Sequence, residues 1–181
     1  MIIFRDRLGK IMKRTFLTSL ILFLFLSSTY AQVAASDAKA VAQSIVDLVS
    51  TTTWPSGAGP GEGAVKVCVV GDSPVKSSLE ELSAGSSKTL EISQAALGDD
   101  LSGYHVVYNP SGEIGSLAKI LKGVGGAKVL TVSTGKDFAR YGVMVNLSKD
   151  GSKFKYEINT MVVDGAGIKI DDKILSSATK I

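Results

Sequence analysis

The sequence predicts an α/β protein, a three-layer sandwich on a mainly parallel sheet, and three observations carry that prediction. Short, nearly unbroken apolar runs such as "VKVCVVG" (Val65 to Gly71) and "KVLTVS" (Lys128 to Ser133) read as strands covered on both faces. Capped amphipathic segments lie between the runs, as right-handed crossovers between parallel strands require. In the C-terminal third, two alternating runs flank Asp150-Gly151, the pattern of an antiparallel hairpin.

In chain order, Val41, Ile45, Leu48 and Val49 recur at helical spacing, with Ser36 or Asp37 placed to cap the start. Trp54-Pro55 stops that helix, and "SGAGPGEG" is a Gly/Pro-rich connection to the first strand, Val65 to Val70. Ser73 caps the next helix with Pro74 at its first position; Val75, Leu79 and Leu82 form its apolar side and Gly85 ends it. Strands "TLEIS" (Thr89 to Ser93) and "YHVVY" (Tyr104 to Tyr108) follow, separated by the helical or loop piece "AALGDDLSG". Ser111 then caps a helix carrying Ile114, Leu117, Ile120 and Leu121, closed by Gly123, and "KVLTVS" supplies the next strand. With Asp150 and Gly151 as central turn residues, the hairpin pairs Leu147 with Phe154, Val145 with Tyr156 and Val143 with Ile158, one apolar stripe. Asp171 caps a terminal helix presenting Ile174, Leu175 and Ala178.

The first residues have a different purpose. Arg5, Arg7, Lys10, Lys13 and Arg14 precede "FLTSLILFLFL" and "SSTYAQ", the form of a secretory signal peptide over residues 1–31 cleaved before Gln32. The apolar stretch is shorter than the ~20 residues of a spanning helix; a retained signal anchor is the alternative. Residues 32–181 then suit a single domain. Cleavage removes five Lys/Arg and one Asp, taking the balance from 20 against 17 to 15 against 16, or from +3 to −1. No basic run survives to follow a phosphate backbone, which argues against nucleic acid. Cys68 is the only cysteine, so no intrachain disulfide forms, and its apolar setting reads as a buried thiol.

Catalytic residue types are sparse. His105 is the only histidine and lies within a predicted strand, and neither a zinc-ligand spacing nor a G-x-S-x-G elbow is present. No motif calls for a metal or cofactor. An enzyme would have to draw on Asp72, His105 and Glu157. A small-ligand module would use the loops at the carboxyl ends of strands, where ligands bind in open α/β sheets. Those loops offer Asp72, Ser73, Ser111 and Ser133, for which plain helix capping is the competing reading.

"VLTVSTGKDFARYGVMVNL" and "FKYEINTMVVDGAGIKIDDKILSSATKI", with Trp54-Pro55 and "VVGDSP" upstream, resemble the YfiR family of exported bacterial proteins. Gly142, Asn146, Glu157 and Asn159 fall on the family pattern, where the resemblance implies scaffold positions and no catalyst. Val143 replaces a family glycine, and cysteines common in relatives, including one near Tyr104, are absent. The resemblance implies a periplasmic repressor that binds the sensor domain of a membrane diguanylate cyclase, with a histidine kinase as the alternative target. It further implies sequestration by an outer-membrane lipoprotein and is compatible with a homodimer.

Overall fold

The computed structural model describes residues 36–151 and 153–181, so the export segment read over residues 1–31 lies outside the described residues. Residues 36–51 form α1, followed by β1 (Thr52–Thr53), β2 (Val65–Val70), α2 (Val75–Ser83) and β3 (Leu90–Ala95). Next come β4 (Val106–Asn109), α3 (Ile114–Val124), β5 (Leu130–Ser133) and a single 3-10 turn, Phe138–Tyr141. The chain finishes with β6 (Val145–Asp150), β7 (Lys153–Ile158), α4 (Thr160–Gly165), β8 (Lys169–Ile170), α5 (Asp172–Leu175) and β9 (Thr179–Lys180).

Seven strands make one sheet in the order β3-β2-β4-β5-β6-β7-β9. Every pairing in it is parallel except β6 with β7. The central strands are apolar at successive positions because both faces are covered. Val65, Val67 and Val69 join the core formed with Ile45 and Leu48 of α1 and with Val75 and Leu79 of α2. Cys68 and Val70 face the other way, into a cluster with Ile120 and Val124 of α3. Helices therefore cover opposite faces of the sheet, which gives the three layers expected.

This arrangement creates a switch point. From β2 the chain crosses one face through α2 to β3; β4 lies on the other side of β2 and departs across the opposite face through α3 to β5. The two exits diverge, and a crevice opens between the carboxyl ends of β2 and β4.

Several boundaries differ from the sequence expectation. The hairpin pairs Leu147 with Tyr156, Val145 with Ile158 and Asp150 with Lys153, so its turn lies between Asp150 and Lys153. Gly151, at φ 62°, takes the first loop position, where two-residue hairpins demand positive φ. The slip is two residues, one full side-chain period, so the same stripe stays inside. Gly123 does not end α3. The helix continues to Val124 and closes at Gly125 (φ 59°), whose N–H reaches Leu121 O and Lys122 O.

The predicted terminal helix is a single turn. Asp171 does accept from Lys173 N, at 2.8 Å. The Ser176 and Ser177 hydroxyls then donate back to Lys173 O and Ile174 O. The last residues instead satisfy their backbone groups as β9, beside the open edge of β7. The sequence reading also lacks α4 and the β1–β8 pair, which joins Thr52 to Ile170 and Thr53 to Lys169. Two-residue strands are too short to show a period.

Candidate functional site

The crevice is shaped by local backbone chemistry. Gly71, at φ 76°, turns the chain out of β2 and donates its N–H to Ala95 O at 2.9 Å. Ser73 O accepts from Lys76 N and Ser73 Oγ from Val75 N just ahead of α2, whose cap position belongs to Pro74 and not, as the sequence suggested, to Ser73. After β4, Asn109 Oδ1 accepts from Ser111 N at 2.9 Å, and Ser111 Oγ accepts from Glu113 N at 3.1 Å. Ser111 is therefore not the cap of α3, as the sequence suggested; that position belongs to Glu113, and Ser111 belongs to a pair of consecutive side-chain turns leading to it.

Between these exits lies a cleft of about 260 Å³, with Val70 and Leu97 as apolar walls and Asp72, Asn109, Ser111 and Ser116 as polar ones. Of the four ligand candidates, Asp72 and Ser111 meet there. Ser73 is outside the lining, engaged at the start of α2. Ser133 is fully buried one strand away, its Oγ donating to Asn109 O at 3.2 Å and accepting from Gly135 N at 3.1 Å.

The sequence pattern points to Ser111 in this loop but does not single out Asn109. That asparagine is 2 % exposed. Because the Ser111 N–H fixes which end of its amide accepts, Nδ2 is the donor left over, and it is buried with no partner. An Asn-Pro pair at a strand end signals a turn, and only the fold reveals the stranded donor.

The sheet register extends the polar floor. Asn109 pairs with Ser133, Ser133 with Asn146, and Asn146 with Glu157, a polar row across four strands. Asn146 Nδ2 donates to Glu157 Oε2 at 2.9 Å, leaving Asn146 Oδ1 buried without a partner. Asn159 caps α4 by accepting from Val162 N and donates from Nδ2 to Ala139 O at 2.7 Å. Gly142, at φ 101°, closes the 3-10 turn with its N–H on Phe138 O.

Replacing Glu157 with alanine strands the buried Asn146 amide donor and is expected to cost about 1–3 kcal/mol. Glutamine, which still presents an acceptor, should cost well under half as much. Urea denaturation of both variants checks the pair, and equal losses would show that the hydrogen bond is not what Glu157 contributes.

The three residues an enzyme would need are dispersed: Asp72 follows β2, His105 precedes β4, and Glu157 lies on β7. His105 Nδ1 accepts from Lys66 N at 2.9 Å, and His105 O accepts from the Trp54 indole N–H at 3.3 Å. The Trp54 ring meets the imidazole edge-on, centroids 6.0 Å apart. Burial, and then the Lys66 charge, push the His105 pKa below its ordinary value. The neutral imidazole is thus the form the fold prefers. Its contribution to stability is complete above the unfolded value, about 6.5, and is lost as pH falls toward the depressed folded value. Stability should therefore decline as pH falls below about 6.5, and the His105→Asn variant should show a shallower decline in the same titration.

Burial also raises the Cys68 thiol above its ordinary pKa. Among the described residues, no group of three or more His, Cys, Asp or Glu side chains could hold a metal ion. None of the described helices is long and apolar enough to cross a membrane.

The profile of a family described as YfiR/HmsC-like matches residues 38–179. No curated protein matches the chain by sequence. Among solved structures, the chain is similar to the ABC domain in complex with L-Trp from Streptococcus pneumonia, at 14% identity and TM-score 0.55. That match covers 77% of this chain and 59% of the other. A conserved domain protein from Vibrio cholerae O1 biovar eltor aligns at 13% identity and TM-score 0.52, covering 79% of this chain and 59% of that one. The chain thus spans about three fifths of each structure, and at these identities the likeness concerns the fold alone.

Proposed function

The chain belongs to the YfiR/HmsC-like family, and from that premise we propose that it is an exported, non-enzymatic regulator of a membrane signalling protein. The observation that carries this reading is the length of the match, residues 38–179. In this reading residues 1–31 direct export to the periplasm and are removed, and residues 32–181 act as one domain. The domain inhibits its target by contact with the target's periplasmic sensor region. A diguanylate cyclase is the first candidate, so that binding lowers cyclic di-GMP production, and a histidine kinase is the second. An outer-membrane lipoprotein would relieve the inhibition by sequestering the regulator, which works as a monomer or homodimer. The dispersal of Asp72, His105 and Glu157 supports action by binding.

The test is affinity capture from solubilised envelope of the host, with residues 32–181 as bait and mass spectrometry of the retained proteins. Reproducible recovery of a cyclase or kinase with an external sensor domain supports the reading and selects between the two. Folded bait that retains no membrane signalling protein would overturn it. Sequencing the N-terminus of the exported protein tests the leader separately, with Gln32 expected first.

A further inference from the structure

We propose that the cleft between the carboxyl ends of β2 and β4 binds a small zwitterionic or neutral carbonyl compound whose oxygen accepts a hydrogen bond from Asn109 Nδ2. The inference stands apart from the choice of protein partner, because it rests on the cleft itself.

Position, size, hydrogen bonding and charge each support it. The cleft occupies the switch point, where chain exits to opposite faces leave a crevice that ordinary core packing does not fill. At about 260 Å³ it is slightly below the roughly 300–1,000 Å³ of drug-sized pockets, a volume for a small metabolite. Asn109 supplies a donor that is buried, unpartnered and oriented by the Ser111 N–H on its other end. Buried amide N–H groups without partners are uncommon, and this one belongs to a residue that lines the cavity. Asn109 Nδ2 lacks an acceptor, and a carbonyl or carboxylate oxygen would supply one.

Charge restricts the class further. Asp72 is exposed and lines the cleft, while no Lys or Arg does. A dianion would meet the Asp72 charge with no Lys or Arg in the lining to offset it, whereas an ammonium or amide N–H beside Asp72 would be attracted. Val70 and Leu97 accommodate an apolar body between the two polar contacts. An amino acid or its amide has these features in this order.

The experiment titrates the whole mature domain with free L-amino acids, their amides and succinate, following backbone amide NMR signals and thermal midpoint. Amino acids or amides should shift the signals of Gly71, Asn109 and Ser111 and raise the midpoint, with succinate inert. Asn109→Val should weaken that binding at least tenfold. Since this variant alters a buried position, Asp72→Lys at the exposed rim provides a second reading: it should weaken ammonium-bearing probes and favour succinate. The proposal is overturned if no probe shifts these signals, if shifts occur elsewhere only, or if both variants bind like the parent. A high-resolution structure showing an ordered water on Asn109 Nδ2 that no probe displaces would overturn it as well.

Discussion

Gly135→Ala is expected to destabilise the protein by about 3 kcal/mol, the lower end of what losing a buried phenylalanine costs. A Cβ at Gly135 would lie 2.6 Å from Phe138 Cζ and closer still to Cε2 and Cδ2, an approach that real Cβ contacts do not show. The ring has little room to yield. Phe138 is 3 % exposed and packs against Leu117 and Val143, with Leu121 at the margin. Its backbone is held as well, because Phe138 O accepts from both Gly142 N and Val143 N. The added methyl must therefore expel the ring or open the turn. Urea denaturation measures the loss, and a double-mutant cycle with Phe138→Ala identifies its source. If Gly135 acts only as the seat of Phe138, the double variant is no less stable than Phe138→Ala alone. Additive losses would show that the seat for Phe138 is not what Gly135 contributes.

The legible and illegible parts of this fold divide along physical lines. β2, β4 and β5 are readable because strands covered on both faces must be apolar throughout, and α1 because one stripe faces the core. The hairpin faces survive an error in turn position because the error equals one side-chain period. The segment of β9 reads as helix in sequence because Ile174, Leu175 and Ala178 fit a helical stripe; the open edge of β7 makes the better offer to the backbone. The candidate site was legible only at its rim. Asp72 and Ser111 belong to loops that strand ends make predictable, but the orphaned amide of Asn109 follows from who takes its oxygen. The polar row is a product of register, since residues 109, 133, 146 and 157 become neighbours only once four strands pair. Asn146 and Glu157, eleven residues apart in the sequence, bond to each other across a hairpin.

Gly123→Ala tests the same logic with a reversal of sign. On helix propensity alone, alanine for glycine inside α3 should stabilise by about 1 kcal/mol. The expected result here is a loss of about 2 kcal/mol, the range for forcing a methyl into a filled site. A Cβ on Gly123 would lie 2.6 Å from Asp99 O and 3.3 Å from Leu101 Cγ and Cδ1. The obstacle is backbone, fixed on both sides: the Asp99 carboxylate accepts from Ala96 N at 2.8 Å, and Leu101 N donates to Gly123 O at 3.0 Å. Leu101 itself is fully buried, so the loop cannot withdraw without exposing it. Gly115, earlier on the same helix, is the internal control. A Cβ there meets nothing within 4 Å, and Gly115→Ala should be neutral or stabilising by up to about 1 kcal/mol. Equal gains at both positions would show that the 96–101 loop does not press on α3. A second consequence connects this seam to the cleft. Leu97 lies in that loop and forms one cleft wall, so a methyl that lifts the loop from α3 should also weaken binding of the amide and amino acid probes, although position 123 is not part of the lining.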